Sequence, residues 1–500
     1  MTRFFFLVLL ALLPATVWGE ESPLTLQEAL KLGISHNLAV KVEALSIPLA
    51  TAAKVTEEAA FDPTLFATLS STGSRTPLAS TLTPAETLFS REEALSVGME
   101  KRLQSGGNAS LVLQQLQATA ESTSLIDPEE RSVLLLQLSQ PLLRDRGAAA
   151  TTLELQLAKS RQEQALLGYR DRARLLVSAI ESACYDLAEA QAQVAAQQEG
   201  EHLAEELLGA NRRRFEAGII ALGEVQQAET ALAARTQQRV IVEQQRDLAR
   251  QTLATLLGPP PGRAASMLTV ADLAQLTPVA PADLAAAATR ALRLRPDLEQ
   301  QRLALEQQGL QLEQAQQALL PRLDLEATLG VNGLSGEGTG GYADGRGGSL
   351  GSMAVADGYQ WSAGLTFSYP LGNRAARQKR VQRQQEQRQA LLQLQQLETA
   401  IVSEVESSIL RWQHGEARLA AAQRYAELAR LSLAHEQARL DEGLSDTFRL
   451  IDFQQQMVDA SVTQLTAAAD LARAAAALRG ATGDNLETFS IFLTSEREEL

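Results

Sequence analysis

The sequence has very little cysteine: one residue, Cys184, among 500. A single cysteine excludes an intramolecular disulfide and any metal site built from several thiolates. Cys184 lies within a helical pattern of small and large residues, which predicts that it fills a core. The chain is also poor in aromatic residues, at 4%. With its many Ala, Leu, Gln, Glu and Arg residues, this composition indicates long helices and not an ordinary mixed globule.

Negative charges outnumber positive ones, and catalytic motifs are scarce. The net charge of −15 argues against nucleic acid as a partner. The four histidines show no metal-ligand spacing, and there is no phosphate-binding loop with which the chain could power transport itself. They are His36, His202, His414 and His435. We therefore expect no enzyme activity, no cofactor and no metal site.

Long hydrophobic runs are restricted to the start of the chain. Residues 1–19 combine Arg3, an apolar run from Phe4 to Leu13 and Gly19 before a cleavage point at Glu20. This pattern predicts a secretory signal peptide, with an apolar core too short to span a membrane. No later run approaches the length of a transmembrane helix, so entry into a membrane would require a closed β-barrel.

Two parts of the sequence share one helical pattern at an offset of 225 residues. In both, apolar and small residues alternate at the spacing of a helical seam. The first series is Leu176, Ile180, Ala183, Leu187, Ala190 and Val194, and the second is Ile401, Val405, Ser408, Trp412, Gly415 and Leu419. Gly218 and Gly443 match in the same register, as do Gly258 and Gly483. We interpret the two parts as an internal duplication.

Each half is predicted to contain a helix, strands, a very long helix, a glycine turn and a further helix. The long helices are expected over 144–216 and 373–441, and the shorter ones over 25–60, 220–257, 283–319 and 446–479. The first repeat is predicted at 20–257, with barrel strands within 64–140, and a linker follows at 258–282. The second repeat is predicted at 283–483, with barrel strands within 322–370, and a tail at 484–500.

Apolar and polar residues alternate in the predicted strands of the second half. The apolar positions are Leu323, Leu325, Ala327, Leu329 and Val331, then Trp361, Ala363, Leu365, Phe367 and Tyr369. Aromatic residues lie at both ends of the later segment, as in the interfacial belts of membrane strands. We predict that Tyr359, Trp361, Phe367 and Tyr369 lie at membrane interfaces, with lipid on one face of the sheet and water on the other.

The first half carries 29 additional residues in its strand region. Alternating apolar residues on both sides of Ser105-Gly106-Gly107-Asn108 predict a β-hairpin over about 94–117. The pattern leaves open whether this hairpin joins a barrel or projects from it. Four or six strands cannot close a barrel alone, so the chain is expected to share one with identical copies.

Three segments resemble the TolC-like outer-membrane efflux protein family. Leu24-Thr25-Leu26-Gln27-Glu28-Ala29-Leu30 is similar to the opening of these proteins. Arg214-Phe215-Glu216-Ala217-Gly218, with Val225 seven residues later, resembles their first helix–turn–helix tip. Ala438-Arg439-Leu440-Asp441-Glu442-Gly443, with Leu450 seven residues later, resembles the second. The likeness extends over about 24–483.

The resemblance implies a mixed α/β membrane protein. It implies a homotrimer with a twelve-stranded barrel in the cell outer membrane and an α-helical tunnel in the periplasm. Such a protein is a passive exit duct of tripartite efflux or type I secretion, with outer-membrane lipid, a periplasmic adaptor and an inner-membrane transporter as partners. The implied adaptor contacts are Arg214, Phe215, Gly218, Ile219, Ile220, Gly443, Leu444 and Ser445.

The family also carries acidic residues around a pore constriction just past the second tip. Asp452 matches one such position, whereas Arg449 occupies the other and Glu224 keeps an acid at the equivalent place in the first half. We hypothesise that Arg449 pairs with an acid across the gate, the alternative being ordinary surface pairing. A soluble periplasmic coiled-coil adaptor or scaffold is the competing function. Drugs, metal ions, siderophores and polypeptides all remain open as cargo.

Overall fold

The computed structural model describes residues 24–77, 87–120, 126–258, 270, 283–338, 348–356, 358–491 and 493. The predicted signal peptide at 1–19 lies outside these residues, and so does the predicted linker at 258–282 except for its first residue and Val270. Val270 forms a parallel bridge with Leu24. No helix in the described ranges is both long enough and apolar enough to span a membrane.

The shorter predicted helices are present, but two of them are interrupted. They comprise α1 (Leu26–His36), α2 (Leu38–Ala44), α3 (Ser46–Ala59), α7 (Leu284–Leu294) and α8 (Pro296–Gln317). The first interruption is at Asn37, whose Oδ1 accepts the N–H groups of Ala39 and Val40 at 2.9 and 3.2 Å and so starts α2. The second is at Arg295, which is extended at ψ 120° because it precedes a proline.

Four long helices follow the predicted plan closely. They are α5 (Leu153–Glu216), α6 (Leu222–Leu257), α10 (Arg374–Asp441) and α11 (Thr447–Thr482). The expected start of the first at residue 144 is wrong, since only the short helix α4 (Ala148–Thr151) precedes α5. Asp145 and Gly147 have positive φ values of 62° and 87°, which a helix does not permit. A last short helix, α12 (Asn485–Thr488), lies in the predicted tail.

The strands form one antiparallel sheet in sequence order. They are β1 (Thr64–Pro77), β2 (Thr87–Arg102), β3 (Asn108–Ala120), β4 (Ile126–Pro141), β5 (Arg322–Gly338) and β6 (Gly358–Ser368). A short helix, α9 (Gly348–Ala354), contacts β4 and β5. Its Ser349 hydroxyl shares a 2.7 Å hydrogen bond with the hydroxyl of Ser132, and both side chains are buried.

The predicted hairpin is part of this sheet. Its two strands, β2 and β3, meet at the expected turn, where Leu103 N–H donates to the Gly107 carbonyl at 2.7 Å. β2 pairs with β1 and β3 pairs with β4, so the inserted residues separate two strands that would otherwise be neighbours. The described residues thus contribute six strands to one sheet, two more per chain than a twelve-stranded trimer requires.

The chain divides into two compact units. The first contains Met1–Lys41, Arg172–Arg295 and Ile401–Leu500, and its helices bury Ile180, Leu187, Leu253 and Ile401. The second contains Val42–Asp171 and Pro296–Ala400, with the sheet and the remaining helical segments. Complete burial of one such large aliphatic side chain contributes about 1.5–3 kcal/mol. The division into two sequential repeats stays a prediction.

Candidate docking tips, gate residues and apolar sheet face

The first predicted tip lies between α5 and α6 and is a tight helix-ending turn. Gly218 has φ 71°, and a Cβ at this position would meet nothing within 4 Å. The Gly218 N–H donates to the Phe215 carbonyl at 2.8 Å, and the Ile219 N–H donates to the Arg214 carbonyl at 2.9 Å. This pair of bonds is the Schellman pattern, which requires a left-handed residue at the glycine. Glycine is needed here for backbone conformation and not for space.

The second tip, between α10 and α11, repeats this geometry. Gly443 has φ 74° with open space around it, and its N–H donates to the Leu440 carbonyl at 3.1 Å. The Leu444 N–H donates to the Arg439 carbonyl at 2.8 Å. The Arg439 guanidinium returns a 3.3 Å hydrogen bond to the Leu444 carbonyl. Both tips are therefore turns of the same type.

A matched glycine pair tests this interpretation. We expect Gly443→Ala to lower the free energy of unfolding by about 1 kcal/mol, because alanine resists the left-handed conformation. Gly223→Ala, in the first turn of α6 and also in open space, should be neutral or stabilising by up to about 1 kcal/mol. Thermal unfolding of the two variants measures the difference, and equal effects would contradict the backbone explanation.

The predicted adaptor contacts differ in how much of each side chain is exposed to a partner. Phe215, Ile219 and Leu444 are exposed apolar side chains, with Ile219 the most exposed at 72%. By contrast, the Ser445 hydroxyl donates to the buried Glu436 carboxylate. That serine holds its own turn in place, so only part of its surface is available.

Two of the predicted contacts connect the tips to the rest of the helical unit. Ile220 packs against a hydrophobic cluster below the turns, and the Arg214 guanidinium lies 3.5 Å from the Asp441 carboxylate of the other tip. Sequence reasoning missed the exposed Leu222 and Phe448, at 53% and 68% exposure. Their signal was an apolar residue in the first turn after each tip.

Glu224 is the predicted gate residue that the fold uses to join the two helical hairpins. Its carboxylate accepts a 2.8 Å hydrogen bond from the Thr447 hydroxyl, across 223 residues of sequence. The Asn211 amide donates to the same hydroxyl at 3.0 Å and to the Glu224 carbonyl at 3.3 Å. Asn211 and Thr447 are buried, so this polar network fixes the position of Glu224.

The other two gate candidates have local partners. The Arg449 guanidinium lies 3.9 Å from the Asp446 carboxylate, whose Oδ1 also accepts the Arg449 N–H and caps α11. Asp452 accepts a 2.7 Å hydrogen bond from Gln456, one turn later in the same helix. Pairing of Arg449 with an acid of a second chain stays a prediction.

One face of the sheet carries two adjacent rows of apolar residues that cross all six strands, called here the apolar band. Directly opposed residues of neighbouring strands share a face, so the pairing register defines its rows. One row is Leu65, Met99, Leu111, Leu136, Leu329 and Trp361, and the next is Ala67, Val97, Leu113, Leu134, Val331 and Tyr359. The large members of the first row are 42–76% exposed.

The opposite face of the sheet, called here the polar face, is mainly polar, although Phe66, Val112 and Leu135 also lie on it. Its row next to the first apolar row is Thr64, Glu100, Ser110, Gln137, Thr328 and Ser362. Phe367 shares the face of Tyr359 and Trp361, and Tyr369 follows the end of β6. All four predicted interface aromatics are exposed.

Family and structural comparisons agree with this architecture. The family model described as outer membrane efflux protein matches residues 29–259 and 287–484. The chain belongs to the outer membrane efflux protein family. The TolC-like resemblance is thereby confirmed, and an outer-membrane efflux channel is the supported function class. A comparison with curated protein sequences finds no match.

Solved structures of outer-membrane channels and of an outer-membrane protein share the fold. The Campylobacter jejuni CmeC outer membrane channel has a TM-score of 0.66 at 16% identity, with 94% of this chain and 90% of CmeC covered. The outer membrane protein VceC of Vibrio cholerae has a TM-score of 0.65 at 16% identity, with 92% and 96% covered. The open-state Neisseria gonorrhoeae MtrE channel has a TM-score of 0.61 at 18% identity, with 92% and 88% covered.

Membership of an efflux protein family also bears on the two alternatives to a channel, an enzyme and a soluble adaptor or scaffold. The family is one of channels and not of enzymes. A soluble adaptor or scaffold would share the long helices but leaves the apolar band without a purpose. Large exposed apolar patches are uncommon on soluble monomers and mark interaction or membrane surfaces.

Proposed function

We propose that this efflux-family protein is the passive exit duct of a tripartite efflux or type I secretion system. Three copies share a β-barrel in the outer membrane and form an α-helical tunnel in the periplasm. The tips around Gly218 and Gly443 contact a periplasmic adaptor, and an inner-membrane transporter supplies the energy. Each chain arose by duplication of one helix–strand–helix unit, which the common turn geometry of the two tips supports.

The apolar band is the observation that carries this proposal. It crosses all six strands in register, and the other face is mainly polar. Alternation of this kind places lipid on the apolar side and water on the polar side of a membrane strand. The aromatic side chains Tyr359, Trp361 and Phe367 lie on the lipid side, where their rings suit the membrane interfaces.

The tips supply the second part of the proposal. Phe215, Ile219 and Leu444 present exposed apolar surface on hydrogen-bonded turns, which suits them for contact with an adaptor. We assign Glu224, Arg449 and Asp452 to the pore constriction formed where copies meet. In that assembly Arg449 pairs with an acid of the neighbouring copy, in exchange for its exposed local pair with Asp446, which contributes about 0–1 kcal/mol.

Two neighbouring residues of β4 that lie on opposite faces of the sheet test the proposed position of the strands in the membrane. We expect Leu136→Arg to reduce the amount of protein in the outer membrane strongly, because an arginine facing lipid near the midplane costs about 2–4 kcal/mol. Gln137→Arg, on the polar face, should leave that amount close to the wild-type value. Membrane fractionation and conductance of the purified protein in planar bilayers are the measurements.

The controls separate the channel from its alternative. The wild-type protein should require detergent for release and should conduct ions. Release by salt alone, or equal tolerance of both arginines, would favour a soluble adaptor and contradict the proposal.

A further inference from the structure

The hairpin formed by β2 and β3 is built into the wall of the sheet. β2 pairs with β1 along the whole of β1, from Thr64 opposite Glu100 to Pro77 opposite Thr87. β3 pairs with β4 from Asn108 opposite Ser139 to Ala118 opposite Glu129. Both strands are therefore hydrogen-bonded on each side, and neither is an edge of the sheet.

In the hairpin, apolar and polar residues also alternate in the same register as in the neighbouring strands. Val97 and Met99 on β2, with Leu111 and Leu113 on β3, occupy the apolar rows. A shift in register of one residue would move all four to the polar face. A hairpin that projected into water would gain nothing from this match with its neighbours. The two faces of the hairpin therefore match the apolar and polar faces of the other four strands, and suit the same two environments, lipid on one side and water on the other.

The edges of the sheet indicate what completes it. β1 and β6 each have one unpaired edge in the described chain, and backbone N–H and C=O groups within a bilayer must be hydrogen-bonded. The six strands alternate in direction, so β1 and β6 run antiparallel. The β6 edge of one copy can therefore pair antiparallel with the β1 edge of the next. A second copy of this chain fits both edges.

We propose that three copies close an eighteen-stranded barrel, with the inserted hairpin of each copy in its wall. This inference rests on the proposed trimeric channel and adds six strands to the twelve that the family resemblance implies. At about 4.8 Å between strands and a tilt of about 40°, the backbone radius is about 18 Å for eighteen strands and about 12 Å for twelve. The outer-membrane end is then wide, water-filled and lined by the polar face, which suits bulky hydrophilic cargo.

Two adjacent residues of β2 test the position of the hairpin. Ser96→Cys places a thiol on the polar face and Val97→Cys places one in the apolar band. Both are made in a Cys184→Ala background, although burial already raises the pKa of the Cys184 thiol to about 12. In intact cells, a hydrophilic maleimide should label Ser96→Cys about tenfold faster than Val97→Cys, because a thiol in lipid is neither accessible nor ionised. Equal rates would overturn the inference, since they would place both faces in water.

Electron microscopy of the purified protein measures the barrel itself. The wild-type trimer should show eighteen strands. Deletion of residues 87–120 removes both inserted strands and leaves β1 and β4 antiparallel, so the barrel diameter should fall about 1.5-fold.

The outcomes separate this inference from the function on which it rests. A twelve-stranded trimer with the hairpin outside the wall would overturn the inference and leave the channel intact. A protein that is not trimeric or not in the outer membrane would overturn both. If the deletion variant does not assemble, the wild-type strand count and the cysteine pair still decide the question.

Discussion

Replacement of Arg479 by alanine is expected to lower the free energy of unfolding by about 3–5 kcal/mol, because it leaves a buried carboxylate without its cation. Glu181 on α5 is completely buried, and its carboxylate contacts the Arg479 guanidinium of α11. The Tyr185 hydroxyl donates a further 3.0 Å hydrogen bond to Glu181. Burial raises the pKa of Glu181, and the positive charge of Arg479 lowers it in opposition.

The pH dependence gives this prediction a distinctive signature. A carboxyl whose pKa is raised by folding contributes stability at low pH, and that contribution is lost as the pH rises through the folded-state pKa. In Arg479→Ala the pKa of Glu181 rises further, because the opposing charge is gone. The deficit relative to wild type should therefore shrink as the pH falls. A deficit that is constant with pH would show that only packing was lost.

Two further variants serve as controls for this ion pair. Adding Glu181→Gln to Arg479→Ala should recover part of the stability, because a neutral amide is less costly to bury than an unpaired carboxylate. Arg424→Ala removes a 2.6 Å pair with Glu427 in which both side chains are well exposed, and should cost less than about 1 kcal/mol. Thermal unfolding in detergent, followed by the helical circular-dichroism signal, measures all of these variants.

Truncation of Leu450 is expected to destabilise the region of the tips by about 2–5 kcal/mol, as for other buried leucines. Leu450 is 1% exposed in a cluster to which α5, α6, α10 and α11 all contribute. The other buried members are Leu207, Leu208, Val225, Ala228 and Leu440. Loss of this side chain should loosen the contact between the two helical hairpins and not only the local turn.

Hydrogen exchange shows whether Leu450→Ala loosens the contact between the two helical hairpins or only the local turn. Faster exchange is expected in both tips, around Gly218 as well as around Gly443. Phe448→Ala is the matched control, since this aromatic ring lies two residues earlier and is 68% exposed, so its loss should change stability by less than about 0.5 kcal/mol. Equal destabilisation by the two substitutions, or faster exchange in the second tip alone, would contradict the clustered packing.

The sequence predicted the long helices and the tips well because their signals are local. Apolar spacing determines which face of a helix is buried, and a glycine between two such patterns indicates the reversal at Gly218 and at Gly443. The interruptions at Asn37 and Arg295 were missed, although an asparagine cap and a proline were both present there. Neither changes the apolar periodicity, so a prediction based on periodicity passes over them.

The partners of the gate residues could not be predicted from the sequence. Glu224 is held by Thr447 and Asn211, and the choice of these partners depends on how two distant hairpins pack. Arg449 was placed opposite an acid by analogy, yet within its own chain it pairs with the helix-capping Asp446. Strand pairing could not be predicted for the same reason. Alternation of apolar and polar residues indicated β2 and β3, but not which strands would pair with them on either side.

The place of the inserted hairpin implies a rule for how such sheets can widen in evolution. A single added strand would reverse the direction of every later strand and leave the two edges parallel, so copies could no longer join antiparallel. A hairpin adds two strands and restores the original relation between β1 and β6. In a threefold assembly, barrel circumference can then grow only in steps of six strands. At a given strand tilt, the width of the barrel would then change in discrete steps, by gain or loss of whole hairpins.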